Sequence, residues 1–260
     1  RGCLVCGCSL IACEAHMAKG KILISQPIHA AGMQLLLDAG YEARVSPDIA
    51  EATLRREIRD ADGLLVRTAE VPASVIEAGA RLRVIARHGV GYDNIDVGAA
   101  TRRGVVVAIT PRANALSVAE HVLALMFALA KRIMEYDRAT RANNWEIRNS
   151  YGAADLSGKT LGVLGMGRIG SLVCRKAKQG LDMEVLAYDP LVPREAMERA
   201  GARVVPTVRE VLEAADVVTV HVPSTAETKG LIGEKELRAM KPTAFLINTA
   251  RGPWWTRRRW

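Results

Sequence analysis

Between residues 21 and 248 the chain alternates short, uniformly apolar runs with longer stretches of mixed periodicity. Residues 21–25, 63–66, 84–87 and 105–108 are rich in Val, Ile and Leu and lack the polar alternation of a half-solvated strand. They predict buried parallel strands. Helical spacing lies between them at 29–39 and 49–58. A second series starts at Thr160, with strands predicted at 160–164, 184–188, 202–205, 217–220 and 244–248 and helices at 168–179, 208–214 and 234–240. Thr207 and Glu210 have the spacing of a capping box for one of these helices. Such alternation predicts an α/β fold of parallel sheets with helices on both faces. Two series predict two domains, over 17–113 and 114–252. Residues 116–131 are apolar on nearly every side and predict a buried helix crossing from one domain to the other. Residues 142–158 are polar without a clear period and predict an exposed excursion.

Composition narrows the function. With 49% hydrophobic and 25% charged residues, the chain is neither disordered nor fibrous. No apolar run reaches the length of a membrane span; the longest, 118–130, contains Glu120 and His121. The net charge of +8 suggests a nucleic-acid ligand, but Arg257, Arg258 and Arg259 cluster at the extreme end and the other basic residues are interspersed with acids. Aromatic residues at 4% do not build a base-stacking platform. Neither nucleic acid nor membrane is expected as a partner.

The two ends read differently from the middle. Cys3 and Cys6 have CxxC spacing with His16 following, and Leu10-Ile-Ala-Cys13 has the form of a lipoprotein cleavage box. However, Met17-Ala-Lys-Gly-Lys-Ile-Leu-Ile-Ser reads as an amino terminus entering a first strand. Residues 1–16 are therefore expected to be a non-native leader, with no metal site. The few cysteines elsewhere, and the lack of a credible export signal, predict a cytoplasmic protein. At the other end, Gly252 is followed by Pro-Trp-Trp-Thr-Arg-Arg-Arg-Trp. Tryptophan has the single codon TGG, so shifting the frame by one base turns Trp254-Trp255-Thr256 into a forced Val-Asp. The same frame can encode Glu-Ala-Ala-Leu next. A frameshift near codon 252 is expected, making 253–260 an out-of-frame tail; a genuine basic tail is the alternative.

The clearest chemistry is Gly165-Met-Gly167-Arg168-Ile169-Gly170. It follows a predicted strand and opens a predicted helix, and Asp189 ends the next strand. Gly165 allows the tight turn. Gly167 lets the backbone approach a pyrophosphate at the helix amino terminus, and Gly170 lets helix and strand pack closely. Asp189 accepts from ribose hydroxyls and repels a 2′-phosphate, which selects NAD over NADP.

With these motifs in hand, residues 21–252 resemble the NAD-dependent D-2-hydroxyacid dehydrogenases, most closely their D-3-phosphoglycerate dehydrogenase-like members. The resemblance is carried by Arg87-His-Gly-Val-Gly-Tyr-Asp-Asn-Ile-Asp96, Asn114-Ala-Leu-Ser117-Val-Ala-Glu120, the glycine turn, Tyr188-Asp-Pro190, Ala215-Asp-Val-Val-Thr-Val-His-Val-Pro223 and Met240 through Gly252. It implies a flavodoxin-like substrate domain and a Rossmann NAD domain, the latter incomplete at its carboxyl end. It also implies hydride exchange between NAD(H) and a small D-2-hydroxy or 2-oxo acid such as 3-phosphoglycerate or hydroxypyruvate, in serine biosynthesis.

By the same resemblance, Arg251 is the catalytic arginine that holds the substrate carboxylate and polarises its carbonyl. Arg67, Gly89, Val90, Gly91 and Asn114 are implied to meet the substrate. Val90, Ser117, Arg168, Ile169, His221, Val222, Pro223, Thr228, Thr249, Ala250 and Arg251 join Gly165, Gly167, Gly170 and Asp189 around the cofactor. The family's acid/base histidine and its glutamate lie beyond the arginine, and residues 253–260 supply neither. Little or no turnover is therefore expected of this chain. His121, on the apolar helix, is expected to be a core or interface residue, and a homodimer through that helix is expected of the full-length protein. The alternatives are an NAD-binding corepressor-like protein and a nonfunctional remnant of the family.

Overall fold

The computed structural model describes residues 19–150, 152–225 and 227–250. The leader and the tail expected above, with Arg251, lie outside them. The chain divides at Thr110/Pro111 into two compact units.

The first unit runs β1 (Lys21–Ile24), α1 (Ala30–Asp38), β2 (Glu42–Val45), α2 (Glu51–Glu57), β3 (Gly63–Val66), α3 (Ala73–Ala78), β4 (Val84–Arg87), α4 (Val97–Arg102) and β5 (Val106–Ile109). All neighbouring strands are parallel, in the order β2-β1-β3-β4-β5, which is the flavodoxin-like arrangement. Leu23, Leu64 and Ile85 stand in register across the sheet and form its core with Leu54 and Ile58 of the α2 segment and Val75 and Ile76 of α3. Burying side chains of this size contributes roughly 1.5–3 kcal/mol each.

The second unit holds α5 (Ala115–Ala130), α6 (Ile133–Arg141), β6 (Thr160–Leu164), α7 (Arg168–Gly180), β7 (Glu184–Tyr188), α8 (Arg194–Arg199), β8 (Arg203–Val204), α9 (Val208–Ala214), β9 (Val217–Val220), α10 (Glu234–Ala239) and β10 (Phe245–Asn248). Its parallel sheet has the order β10-β9-β6-β7-β8, which is the Rossmann sequence 3-2-1-4-5 counted from β6. α5 lies on α7, and Ala119, Val122, Met126 and Ala130 share a core with Val173 and Ala177.

Two expectations need correction, and one strand was not foreseen. The run at 105–108 is not a buried strand: β5 is an edge, and Val106 is 62% exposed. β2, with Glu42 and Arg44 among its four residues, was hidden because an edge strand needs no continuous apolar run. The apolar helix is buried on one stripe only. Leu116, Phe127 and Leu129 are exposed, and so is His121, which is no core residue. Within the expected excursion, residues 145–150 form a 3-10 segment with no buried residue. Among the described residues no helix is long and apolar enough to cross a membrane.

The amino ends of the two sheets are wired alike. Asp62, just before β3, accepts from the backbone amide of Lys21 at 2.8 Å and from the Arg81 guanidinium at 2.9 Å. Asp216, just before β9, accepts from the amide of Thr160 at 2.8 Å and from Lys241 Nζ at 2.8 Å. Each aspartate satisfies the first amide of the leading strand, which has no ladder partner there. At Asp62 the amide bond from Lys21 leads the effects that hold the carboxyl below its usual range. At Asp216 burial works to raise the pKa, but the Lys241 and Thr160 hydrogen bonds outweigh it, and the net shift is downward. These carboxylates therefore stabilise the fold above the ordinary carboxylate pKa and cease to as pH falls below it. Asp216→Ala is expected to cost about 1–3 kcal/mol at neutral pH, read from urea unfolding, and clearly less near pH 3.

Candidate functional site: the carboxyl edge of the second sheet

Gly165 follows β6 with φ +96°, a conformation that favours glycine. The exit of β9 presses against it: a Cβ on Gly165 would lie 2.8 Å from the His221 carbonyl carbon. A Cβ on Gly170 would lie 2.0 Å from the Gly165 carbonyl oxygen. Side chains are excluded at both ends of the turn, and helix α7 starts directly above the strand.

Gly167 is the opposite case. It is the residue preceding α7, caps the helix with no side chain, and has nothing within 4 Å of its Cβ position. The first-turn amides of a 13-residue helix therefore open onto free space, as an anion requires. The arrangement fits the pyrophosphate of a dinucleotide.

Asp189 closes the turn from the side. Its Oδ2 accepts from Met166 N at 2.8 Å, and its Oδ1 accepts from Leu191 N at 2.8 Å and Val192 N at 3.2 Å. The carboxylate is thus fixed by three amides. Oδ2, with one amide, retains acceptor capacity for a ribose hydroxyl.

His221 leaves β9 with its amide on Leu164 O, and its Nε2 lies 3.0 Å from the hydroxyl of fully buried Thr219. Burial pushes its pKa down to about 4. Val222 and Pro223 follow, and Thr228 closes that loop by donating to Pro223 O at 2.7 Å. The Thr228 hydroxyl also accepts from Thr225 N, so it is committed to the turn. At the end of β10, Asn248 Oδ1 accepts from Ala250 N, and the Thr249 hydroxyl is buried without a hydrogen-bond partner among the described residues. A buried orphan hydroxyl at a strand's carboxyl end suits a polar ligand group.

Since β10, β9, β6 and β7 are adjacent and parallel, one edge of the sheet gathers Gly165, Gly167, Arg168, Ile169 and Gly170 with Asp189, His221, Val222, Pro223, Thr249 and Ala250. It is also the point where the strand order reverses, the usual place for a ligand in an open α/β sheet. Asn114 and Ser117 stand instead at the start of α5, both exposed. Arg251 lies outside the described residues.

Arg67 and the 89–91 loop follow β3 and β4 at the carboxyl edge of the first sheet. Arg67 Nη1 donates to Pro27 O at 2.9 Å. Gly89 donates to Arg87 O and accepts from Thr110 N, which fixes the loop; Val90 is exposed. Gln26 was missed by sequence reasoning. Its Oε1 accepts from the amides of Thr68 and Ala69 and so braces the Arg67 turn, although a lone glutamine before Pro27 carries no signal. Thr219 was missed too, yet its position two residues before His221, on the same strand face, could have revealed it.

His221 gives the site a pH signature. The unfolded chain takes up this proton near 6.5, the folded chain only near 4. Stability is therefore fully present above pH 6.5 and lost as pH falls towards 4, by up to about 3 kcal/mol. Urea midpoints at pH 7.5 and pH 5 should differ accordingly, and His221→Gln should shrink the difference.

Comparison with known proteins agrees with this architecture. Residues 123–258 match the family described as D-isomer specific 2-hydroxyacid dehydrogenase, NAD binding domain. The chain is 42% identical over 233 residues to D-3-phosphoglycerate dehydrogenase of Archaeoglobus fulgidus, an alignment covering 89% of this chain and 44% of that protein. It is 37% identical to glyoxylate reductase of Korarchaeum cryptofilum, covering 90% and 72% respectively. The chain thus spans less than half the length of the phosphoglycerate dehydrogenases it matches. Its fold superposes on D-lactate dehydrogenase of Aquifex aeolicus, solved with NAD and lactic acid, with a TM-score of 0.81 and 29% identity over 90% of this chain and 70% of that one. The chain belongs to the D-isomer specific 2-hydroxyacid dehydrogenase family and carries that family's NAD binding domain.

Proposed function

We propose that this chain binds NAD along the carboxyl edge of its second sheet and serves hydride exchange with a small D-2-hydroxy or 2-oxo acid, 3-phosphoglycerate or hydroxypyruvate being the favoured class. The observation that carries the reading is the glycine turn: closed at Gly165 and Gly170, open at Gly167 and clamped by Asp189. Similarity to phosphoglycerate dehydrogenases and a glyoxylate reductase supports the substrate class.

The nicotinamide, when bound, supplies or accepts the hydride. The chain's own residues bind and orient. The α7 amides hold the pyrophosphate, and Asp189 holds the ribose. The Arg251 guanidinium fork grips the substrate carboxylate and stabilises charge on the neighbouring oxygen. The 89–91 backbone assists at the carboxylate, and Arg67, held by Pro27 O, meets an anionic group at the far end of the substrate.

Proton exchange at the substrate oxygen needs an acid poised near the working pH. His221 does not meet that need, because burial keeps it neutral and its Nε2 is engaged with Thr219. We infer that dinucleotide binding is the strong activity of the 260-residue chain and that its turnover is slow.

The outward face of α5, with Leu116 53% and Phe127 37% exposed, continues into Ile133 and 60%-exposed Met134 of α6. This apolar surface supports a homodimer.

NADH fluorescence titration tests the site. Gly167→Val, whose Cβ meets no atom within 4 Å, should leave thermal unfolding unchanged and weaken NADH at least about tenfold, or roughly 1.4 kcal/mol. Unchanged affinity would sink the proposal. With NADH and hydroxypyruvate, kcat should fall well below the usual range of about 1–1000 per second, and a value inside that range would refute slow turnover. Light scattering should report a dimer that Phe127→Asp converts to monomer.

A further inference from the structure

We propose that a cavity between α9 and α10, apart from the glycine turn, binds a small organic anion carried on an apolar body. The cavity has a volume of about 520 Å³, within the range of small-molecule sites. Leu212, Leu231 and Ala239 give it apolar walls. Its charged lining is uneven: Arg209, Lys235 and Arg238 face a single acid, Glu236. That acid is already used, since Glu236 accepts from the amide of Gly233 at 3.1 Å.

Two of the cations are held by their own helices. Arg209 pairs with Glu213 at 2.6 Å, and Arg238 pairs with Glu234 at 2.6 Å. Their charges are thereby balanced, which leaves Lys235 as the cation of the lining outside an ion pair. Lys235 has no carboxylate partner among the described residues. An apolar interior beneath a lysine outside any ion pair selects a ligand with an anionic head and a hydrocarbon or aromatic body. A neutral ligand would forgo the lysine, and a fully hydrated anion would forgo the walls.

The cavity shares no residue with Gly165–Gly170, Asp189, His221–Pro223 or Thr249–Ala250. It adjoins them through the chain: Leu231 donates its amide to Thr228 O, and the Thr228 hydroxyl holds Pro223 O. A ligand against Leu231 therefore rests on the loop that leaves β9 beside the glycine turn.

Octanoate and its neutral analogue octanamide are the probes, followed through the methyl NMR signals of Leu212 and Leu231 in the full chain. Octanoate should shift both signals saturably. Octanamide should bind at least about fivefold more weakly, and Lys235→Glu, a change at an exposed position, should weaken octanoate by a similar factor while the rest of the spectrum is unchanged. The octanoate shifts should persist in saturating NAD. The proposal is overturned by the absence of saturable shifts at Leu212 and Leu231, by equal binding of octanamide, by an unaffected Lys235→Glu variant, or by displacement of octanoate by NAD. The NADH titration of Gly167→Val is read independently of all four outcomes.

Discussion

The second unit depends on one close approach. Where β6 ends, the backbone of Gly165 passes against the carbonyl of His221 as β9 leaves the sheet, and Gly170 passes against Gly165 in turn. The order of strands reverses at this point, so two chains diverge from adjacent positions with no room for a side chain between them. That crowding aims the axis of α7 at open space beyond the sheet and brings Asp189 within reach of Met166 N. The polar pair of buried Thr219 and half-buried His221 lies on the other side of the same contact. Steric exclusion, rather than attraction, thus shapes the carboxyl edge of the sheet, and the hydrogen bonds fasten what the exclusion has placed.

Sequence reasoning worked best where one local rule was sufficient. The buried strands β6, β7 and β9 carry continuous apolar runs, and the spacing of Gly165, Gly167, Gly170 and Asp189 marks the turn between β6 and α7 and the end of β7. It failed where the environment decides. β2 alternates Glu42 and Arg44 with Ala43 and Val45, and only its pairing with β1 makes it a strand. β5 has the composition of a buried strand, yet it lies at an edge. The apolar composition of α5 conceals that only every third or fourth residue is buried within the chain. In the site, the commitment of the Thr228 hydroxyl to its own turn, and of Gln26 to the Arg67 turn, depends on partners three to forty-three residues away. No motif records such partners.

Formal charge also misleads when taken alone. An excess of eight positive charges invites a polyanion as partner. In the folded chain many basic residues stand beside an acid. Arg44 and Lys21 share Asp60, Arg81 grips Asp62, and Arg141, Arg194, Arg209 and Arg238 each pair with an acid four residues away. Such exposed pairs add little stability, but they set an acid beside each of these basic residues.

The twin aspartates have a consequence for how this scaffold can change. Asp62 and Asp216 tie the strands together at the amino edges of their sheets, while Arg67, the 89–91 loop, the glycine turn and Asp189 all sit at the carboxyl edges. Each sheet is therefore a frame fastened at one rim and inscribed at the other. Substitutions in the first unit's inscribed rim, at residues 67–68 and 88–91, touch neither aspartate nor the Leu23–Leu64–Ile85 core. A library randomised there can redraw what the unit recognises while the frame carries the cost of folding, so mechanical support and molecular recognition can evolve along separate lines in one short polypeptide.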